Sequence, residues 1–304
     1  MRRLPPLNLN VNYRVAVFGF SLLLMGMGVS TSLGQITTNT ALQIAEGQTV
    51  IRLQGRFLQL QRPGQDLRIR AIPMVVAHGL SPDFTLFGLI PYQFRSFENN
   101  NLPFSESSSA IGDLRIFARY YLYSKNKTGQ MVRLAGLGGL EFPTGPTEIE
   151  KGGKVLPRPL QPGGGSWNPF GGLVFTRHTL AWHLDAAATY TKNTTNQNSG
   201  LNRGDELLIS VSNTYRLIPW KMKMVKGFVF GLIEQNVRWN GKSEIRNITQ
   251  PNSGSVAWSL LPGLQYIRKK LTIEAGVDLP IVDTADTNQF ERKRMVIVST
   301  RINF

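Results

Sequence analysis

From Gln48 to the last residue the chain alternates apolar and polar side chains, in segments of about 10 to 14 residues separated by turn residues. Successive strand side chains point to opposite faces, so each segment presents one apolar and one polar face. The clearest stretch runs from Ile111 to Tyr123. There Leu114, Ile116, Ala118, Tyr120 and Leu122 share one face, while Asp113, Arg115, Phe117, Arg119 and Tyr121 share the other. The pattern recurs over Val132–Glu141, Leu180–Tyr190 and Leu271–Leu279. Mean hydropathy is slightly below zero, at −0.13, which argues against a bundle of membrane helices and leaves room for membrane strands.

Twelve segments are predicted as strands: 48–61, 66–79, 83–96, 110–124, 129–142, 166–177, 179–192, 204–217, 225–240, 254–268, 270–281 and 292–304. Each is close to the length of a tilted membrane strand. Connections around 80–82, 125–128 and 178 are tight. Those at 97–109, 143–165, 193–203, 241–253 and 282–291 are long and rich in Asn, Gly, Pro and Ser. Short inner turns and long outer loops mark a transmembrane antiparallel up-and-down β-barrel of about twelve strands, an all-β fold spanning the outer membrane of a Gram-negative cell many times. Pro73, Pro91, Pro169 and Pro262 fall in or beside strands, where bulges or strand ends are expected, because proline cannot donate to the ladder.

Residues 1–34 carry Arg2, Arg3 and Arg14 without an acid, then an apolar run from Val15 to Val29, then Ser32 and Gly34. That order predicts a secretory signal peptide removed before Gln35, which leaves 35–304 as the barrel. The last strand places Val296, Val298, Thr300, Ile302 and Phe304 on one face, and its terminal aromatic resembles the signal read by the barrel-assembly machinery. Outer-membrane lipid and that machinery are the expected partners, with a small organic solute as a third.

The formal net charge is +15. Its carriers are scattered, without a basic helix or a stacking motif, so no nucleic-acid partner is expected. The chain has no Cys, and neither a nucleophile elbow nor a Walker loop nor a zinc helix occurs. No metal, cofactor or enzymatic activity is expected. Asp185 beside His183 on one strand face is the single pair that a hydrolase could use, and the plainer reading is two lumen residues in a polar network.

Charges facing lipid near the midplane cost about 2–4 kcal/mol each, so the charged faces are expected to line the lumen. These residues are Arg52, Arg56, Arg68, Arg70, Asp113, Arg115, Arg119, Arg133, Glu141, His183, Asp185, Glu206, Arg216, Glu274, Asp278 and Arg301. Two readings stay open. The arginines pair with the acids into a plug, or they line a pore that favours anionic or aromatic solutes.

Three motifs follow one another along the chain: Ile111-Gly112-Asp113-Leu114 opening a strand, Phe142-Pro143-Thr144-Gly145 closing the next, and Gly164-Gly165-Ser166-Trp167 re-entering the membrane. Their order resembles the outer-membrane barrel family named for the meta-pathway of phenol degradation. The resemblance implies a transporter-like barrel of about a dozen strands and supplies no binding site. The expected function is a channel for small organic solutes, with the 143–165 loop as its constriction or lid. The alternative is a non-conducting barrel that acts through its loops.

Overall fold

A computed structural model describes residues 35–100, 104–219, 227–286 and 289–304. The predicted signal peptide lies outside the described residues. The strands are β1 (Thr49–Arg62), β2 (Gln65–Ser81), β3 (Phe84–Asn99), β4 (Phe104–Ile111), β5 (Leu114–Lys127) and β6 (Gln130–Phe142). Then follow the short β7 (Glu150–Lys151) and β8 (Lys154–Val155), β9 (Asn168–Thr179), β10 (Trp182–Thr191), the short β11 (Leu201–Asn202) and β12 (Glu206–Ile218). The chain ends with β13 (Phe228–Asn240), the short β14 (Glu244–Ile245) and β15 (Ile248–Thr249), β16 (Ser255–Arg268), β17 (Leu271–Asp283) and β18 (Glu291–Asn303).

The long strands pair antiparallel with their neighbours, and β1 closes the ring against β18. Strand β3 pairs with β5 over Phe84–Leu89 and with β4 over Tyr92–Asn99, so β4 and β5 are one stave interrupted at Gly112-Asp113. Among the described residues the barrel therefore has twelve staves, as the alternation predicts. The two-residue strands build small ladders in the loops, β7 on β8 and β11 on β14 on β15.

One predicted loop is a hairpin. The serine-rich 97–109 stretch forms the end of β3 and most of β4, where Phe97 and Phe104 pack with ring centroids 5.9 Å apart. Its serines read as loop because a serine on an outward position carries no apolar signal.

The prolines sit where ladders break. Pro169 is the second residue of β9, and Pro91 lies between the two pairing blocks of β3. Pairing of β1 with β2 lapses between Leu53–Met74 and Arg56–Ala71, beside Pro73. Pairing of β16 with β17 lapses beside Pro262. The missing donors of Pro73, Pro91 and Pro262 thus appear as gaps within strands, and that of Pro169 falls at a strand start.

The outer wall is an apolar belt that includes Leu53, Ile72, Leu86, Leu173, Leu264 and Val298, all exposed. The inner wall holds Arg52, Arg119, Asp185, Glu234 and Glu274, all buried. A soluble sandwich has the opposite polarity; a wall solvated by lipid has this one. Phe304 continues the outer face, and its N–H donates 2.8 Å to Thr49 O at the β1–β18 seam. Deleting Phe304 or replacing it with Asp should lower the yield of heat-modifiable barrel several-fold, with little effect from the same change at Asn303. Equal yields would count against this end as an assembly signal.

Candidate functional site

Residues 35–48 precede the first strand and run through the lumen. Buried backbone needs partners, and the wall supplies them stave by stave. Glu234 on β13 accepts the N–H groups of Ile36, Thr37 and Thr38 at 2.7, 2.8 and 3.2 Å, together with the Thr37 hydroxyl. Arg52 and Gln54 on β1 donate to Ile36 O at 3.0 and 3.1 Å. The Gln35 amide donates 3.0 Å to Asp185 on β10 and accepts 3.0 Å from Thr214 on β12.

Further along, the Ala41 N–H donates 2.8 Å to Thr176 on β9, and Arg119 on β5 donates to the carbonyls of Thr40 and Leu42. Gln43 N–H donates 3.0 Å to the Tyr121 hydroxyl. The segment leaves along β2, where Gly47 N–H donates 2.9 Å to Gly79 O. A Cβ at Gly79 would stand 2.3 Å from Ala45 O, so the wall approaches the segment closely enough to require glycine there.

The Ile36 side chain is fully buried in an apolar cluster inside the external half of the barrel, with Leu58, Leu67, Leu232, Leu261 and Ile297. Leu156 and Leu160 join it from the 143–165 loop, and Phe290 joins it from the β17–β18 connection. The loop is held down by Arg95, which donates 3.1 Å to Pro159 O, and by Ser108, whose hydroxyl donates 2.5 Å to Leu160 O. Asp113 faces inward as predicted but pairs with backbone, accepting from Gly145 N–H at 2.9 Å and Gly164 N–H at 2.6 Å. Its place at the β4–β5 break thereby fixes both ends of the loop. In that loop, burial and the nearby Arg203 push the Arg158 guanidinium down to about 10, against the pull of Asp113.

The other predicted lumen residues are largely ion-paired. Arg52 lies 2.7 Å from Glu274, Arg115 2.5 Å from Glu141, and Arg292 2.7 Å from Asp278. Arg203 reaches Glu141 at 3.3 Å, and Arg238 reaches Glu206 at 3.5 Å. Arg301 donates 3.4 Å to Thr272, Arg216 donates 2.9 Å to Leu180 O, and Arg133 stands 5.3 Å over the Tyr121 ring. Asp185 takes His178, at 2.9 Å, rather than His183. His183 stacks on His178 with ring centroids 4.0 Å apart. The Thr176 hydroxyl donates 2.5 Å to Asp185 while accepting from Ala41, so this cluster anchors the segment.

Arg68 and Arg70 correct the sequence reading: they point outward. Leu67 and Ile69 take the inner face, 0% and 2% exposed, because the lumen at that level is the apolar cluster rather than a polar channel. Arg203, Arg238 and Arg292 are lumen cations that sequence reasoning missed, and the whole 35–48 segment is a lumen element it did not assign.

A closed twelve-stave barrel with a lipid-facing belt and a polar, occupied lumen defines the class: a transmembrane β-barrel of the outer-membrane type. The chain belongs to the family described as "Putative MetA-pathway of phenol degradation", whose model matches residues 76–294. The barrel is similar to the COG4313 outer membrane channel from Pseudomonas putida F1, with a TM-score of 0.66 and 15% identity over 87% of this chain and 97% of that one. It is more distantly similar to the β domain of the Bordetella autotransporter BrkA, with a TM-score of 0.48 and 11% identity over 85% of this chain and 100% of that one. At 15% identity the likeness to the channel speaks for the fold alone. No curated protein matches the chain.

Proposed function

We propose that the protein is a gated outer-membrane channel for small organic solutes, closed at rest by residues 35–47. The observation that carries this reading is the bonding of the segment: its backbone is held by side chains of the wall, through hydrogen bonds that can be exchanged without opening the barrel. The proposed cleavage before Gln35 makes the segment a free chain end, which can withdraw by sliding. Withdrawal uncovers the apolar pocket of Ile36 beside Arg52, with Arg119 further along the same path, a pairing of surfaces suited to a solute with an aromatic body and an anionic group. The family description and the channel similar to this barrel support transport as the role.

Uptake into proteoliposomes tests it. The purified barrel should admit benzoate several-fold faster than gluconate, which matches its charge and lacks its apolar body. Flux no greater than in empty liposomes, both for the full chain and for a chain without residues 36–46, would favour the non-conducting, structural reading.

A further inference from the structure

The outward position of Arg68 and Arg70 places them on a face that transport through the lumen does not use. On four neighbouring strands the apolar belt ends within one register step. Phe57 on β1, Ile72 on β2, Phe94 on β3 and Val296 on β18 are its last exposed members toward the loops. The next outward positions are Gln59, Ser96 and Arg294, joined by Arg68. The register sets them in a row: Arg68 opposes Gln59 and Ser96, Gln59 opposes Arg294, and Ser96 opposes Ser107 on β4. Arg70 stands between Phe57 and Phe94.

Three guanidiniums and several hydroxyls thus line one sector of the barrel, on β18 and β1 to β4, at the loop end of the apolar belt. Arg68 lies 3.1 Å from Asp66 and keeps its own side chain about half exposed, at 52%. Among the described residues, no acid stands within ion-pair distance of Arg70 or Arg294. Directly beneath, a groove of about 860 Å³ opens in the outer wall between Phe57, Arg68, Arg70 and Phe94 and deepens inward to the buried Arg56 and Arg95. Gly55 and Ala71 keep its floor low, and the lapse in β1–β2 pairing lies along it.

We propose that this face is a binding site for one phosphorylated glycolipid of the outer leaflet. Its phosphate is held by Arg68 and Arg70 with Arg294 alongside, its sugar hydroxyls meet Ser96 and Ser107, and one acyl chain lies in the groove. Paired guanidiniums recognise a phosphate through two parallel hydrogen bonds. The position at the belt's outer edge selects a lipid rather than a soluble anion, because a soluble anion would not use the groove. The proposal rests on the membrane fold and not on the transport reading.

The test is native mass spectrometry of the full-length barrel in mild detergent, after equilibration with bisphosphorylated lipid A, its dephosphorylated form, or palmitate. The parent should retain one bisphosphorylated lipid A per barrel, and at least tenfold less of the dephosphorylated form. Arg68→Ala with Arg70→Ala should lower retention of the phosphorylated lipid at least tenfold, whereas Lys269→Ala, at the opposite end, should leave it unchanged. Heat-modifiable migration verifies that each variant is folded. Benzoate flux should be the same for the parent and the double variant, so absence of flux bears on transport and lipid retention bears on this site. Equal retention by parent and double variant, retention independent of phosphate, or preferential retention of palmitate would overturn the proposal.

Discussion

Replacing Glu234 with Ala is expected to raise the ionic conductance of the reconstituted barrel at least tenfold, to that of a barrel lacking residues 36–46. The carboxylate is the shared acceptor for three consecutive N–H groups and one hydroxyl of the lumen segment. Each buried donor left without a partner costs roughly 1–3 kcal/mol, so the seated segment loses on the order of 3 kcal/mol or more. At about 1.4 kcal/mol per factor of ten, that shifts the balance between seated and withdrawn states by about a hundredfold or more. Glu234→Gln keeps one acceptor and should fall between parent and Ala. The barrel wall keeps its ladder hydrogen bonds in all three, so heat-modifiable migration should not change. Single-channel recording in planar bilayers checks this, and a conductance unchanged in Glu234→Ala would show that the segment is held in some other way.

The second large effect concerns charge selectivity. Sequence spacing suggests that Arg115 and Arg119 act alike, since they lie four residues apart on one face of β5. The structure separates them. Arg115 is ion-paired with Glu141 at 2.5 Å, whereas Arg119 spends its hydrogen bonds on two segment carbonyls and stands 4.8 Å over the Phe87 ring. Once residues 36–46 are deleted, Arg119 faces the opened lumen without those acceptors, and a fixed cation there favours mobile anions. The deleted barrel should therefore be anion-selective. Adding Arg119→Glu should move its reversal potential in a salt gradient to the cation-selective side, while adding Arg115→Glu should move it much less. Equal shifts from the two changes would contradict the assigned pairings.

The barrel was legible in the sequence because a strand solvated by lipid on one side and by polar groups on the other must alternate with period two. Twelve such runs, with tight and long connections in turn, leave few other folds. Arg52, Arg115, Glu141, Asp185, Glu274 and Asp278 were placed inward on the same ground. Arg68 and Arg70 depart from the rule that charges face the lumen because that rule assumes a polar lumen along its whole height. In β2 the residues Leu67 and Ile69 alternate with the arginines, and either face could have been the inner one. Only the apolar cluster under the 143–165 loop, assembled from residues far apart in sequence, decides the matter. The 35–48 segment was unreadable for a different reason. Gln35-Ile36-Thr37-Thr38-Asn39-Thr40 has no period of its own, and its conformation is set by partners spread around the wall, among them Glu234 and Asp185 on strands well over a hundred residues away. The signal that could have pointed to it is the stretch between the predicted cleavage and the first strand, too long for a simple lead-in and rich in small hydroxyl side chains.

The most direct test of a mobile lumen segment is to tether it. The chain has no cysteine of its own, and the Asn236 side-chain amide on β13 donates 3.1 Å to the Thr37 hydroxyl, so Thr37→Cys with Asn236→Cys places two thiols side by side, one on the segment and one on the wall. Benzoate flux through the oxidised double variant should fall to the level of empty liposomes, and dithiothreitol should restore parental flux in the same preparation. Equal flux before and after reduction, with the disulfide verified by mass, would mean that solutes pass with the segment in place and would contradict gating by residues 35–47.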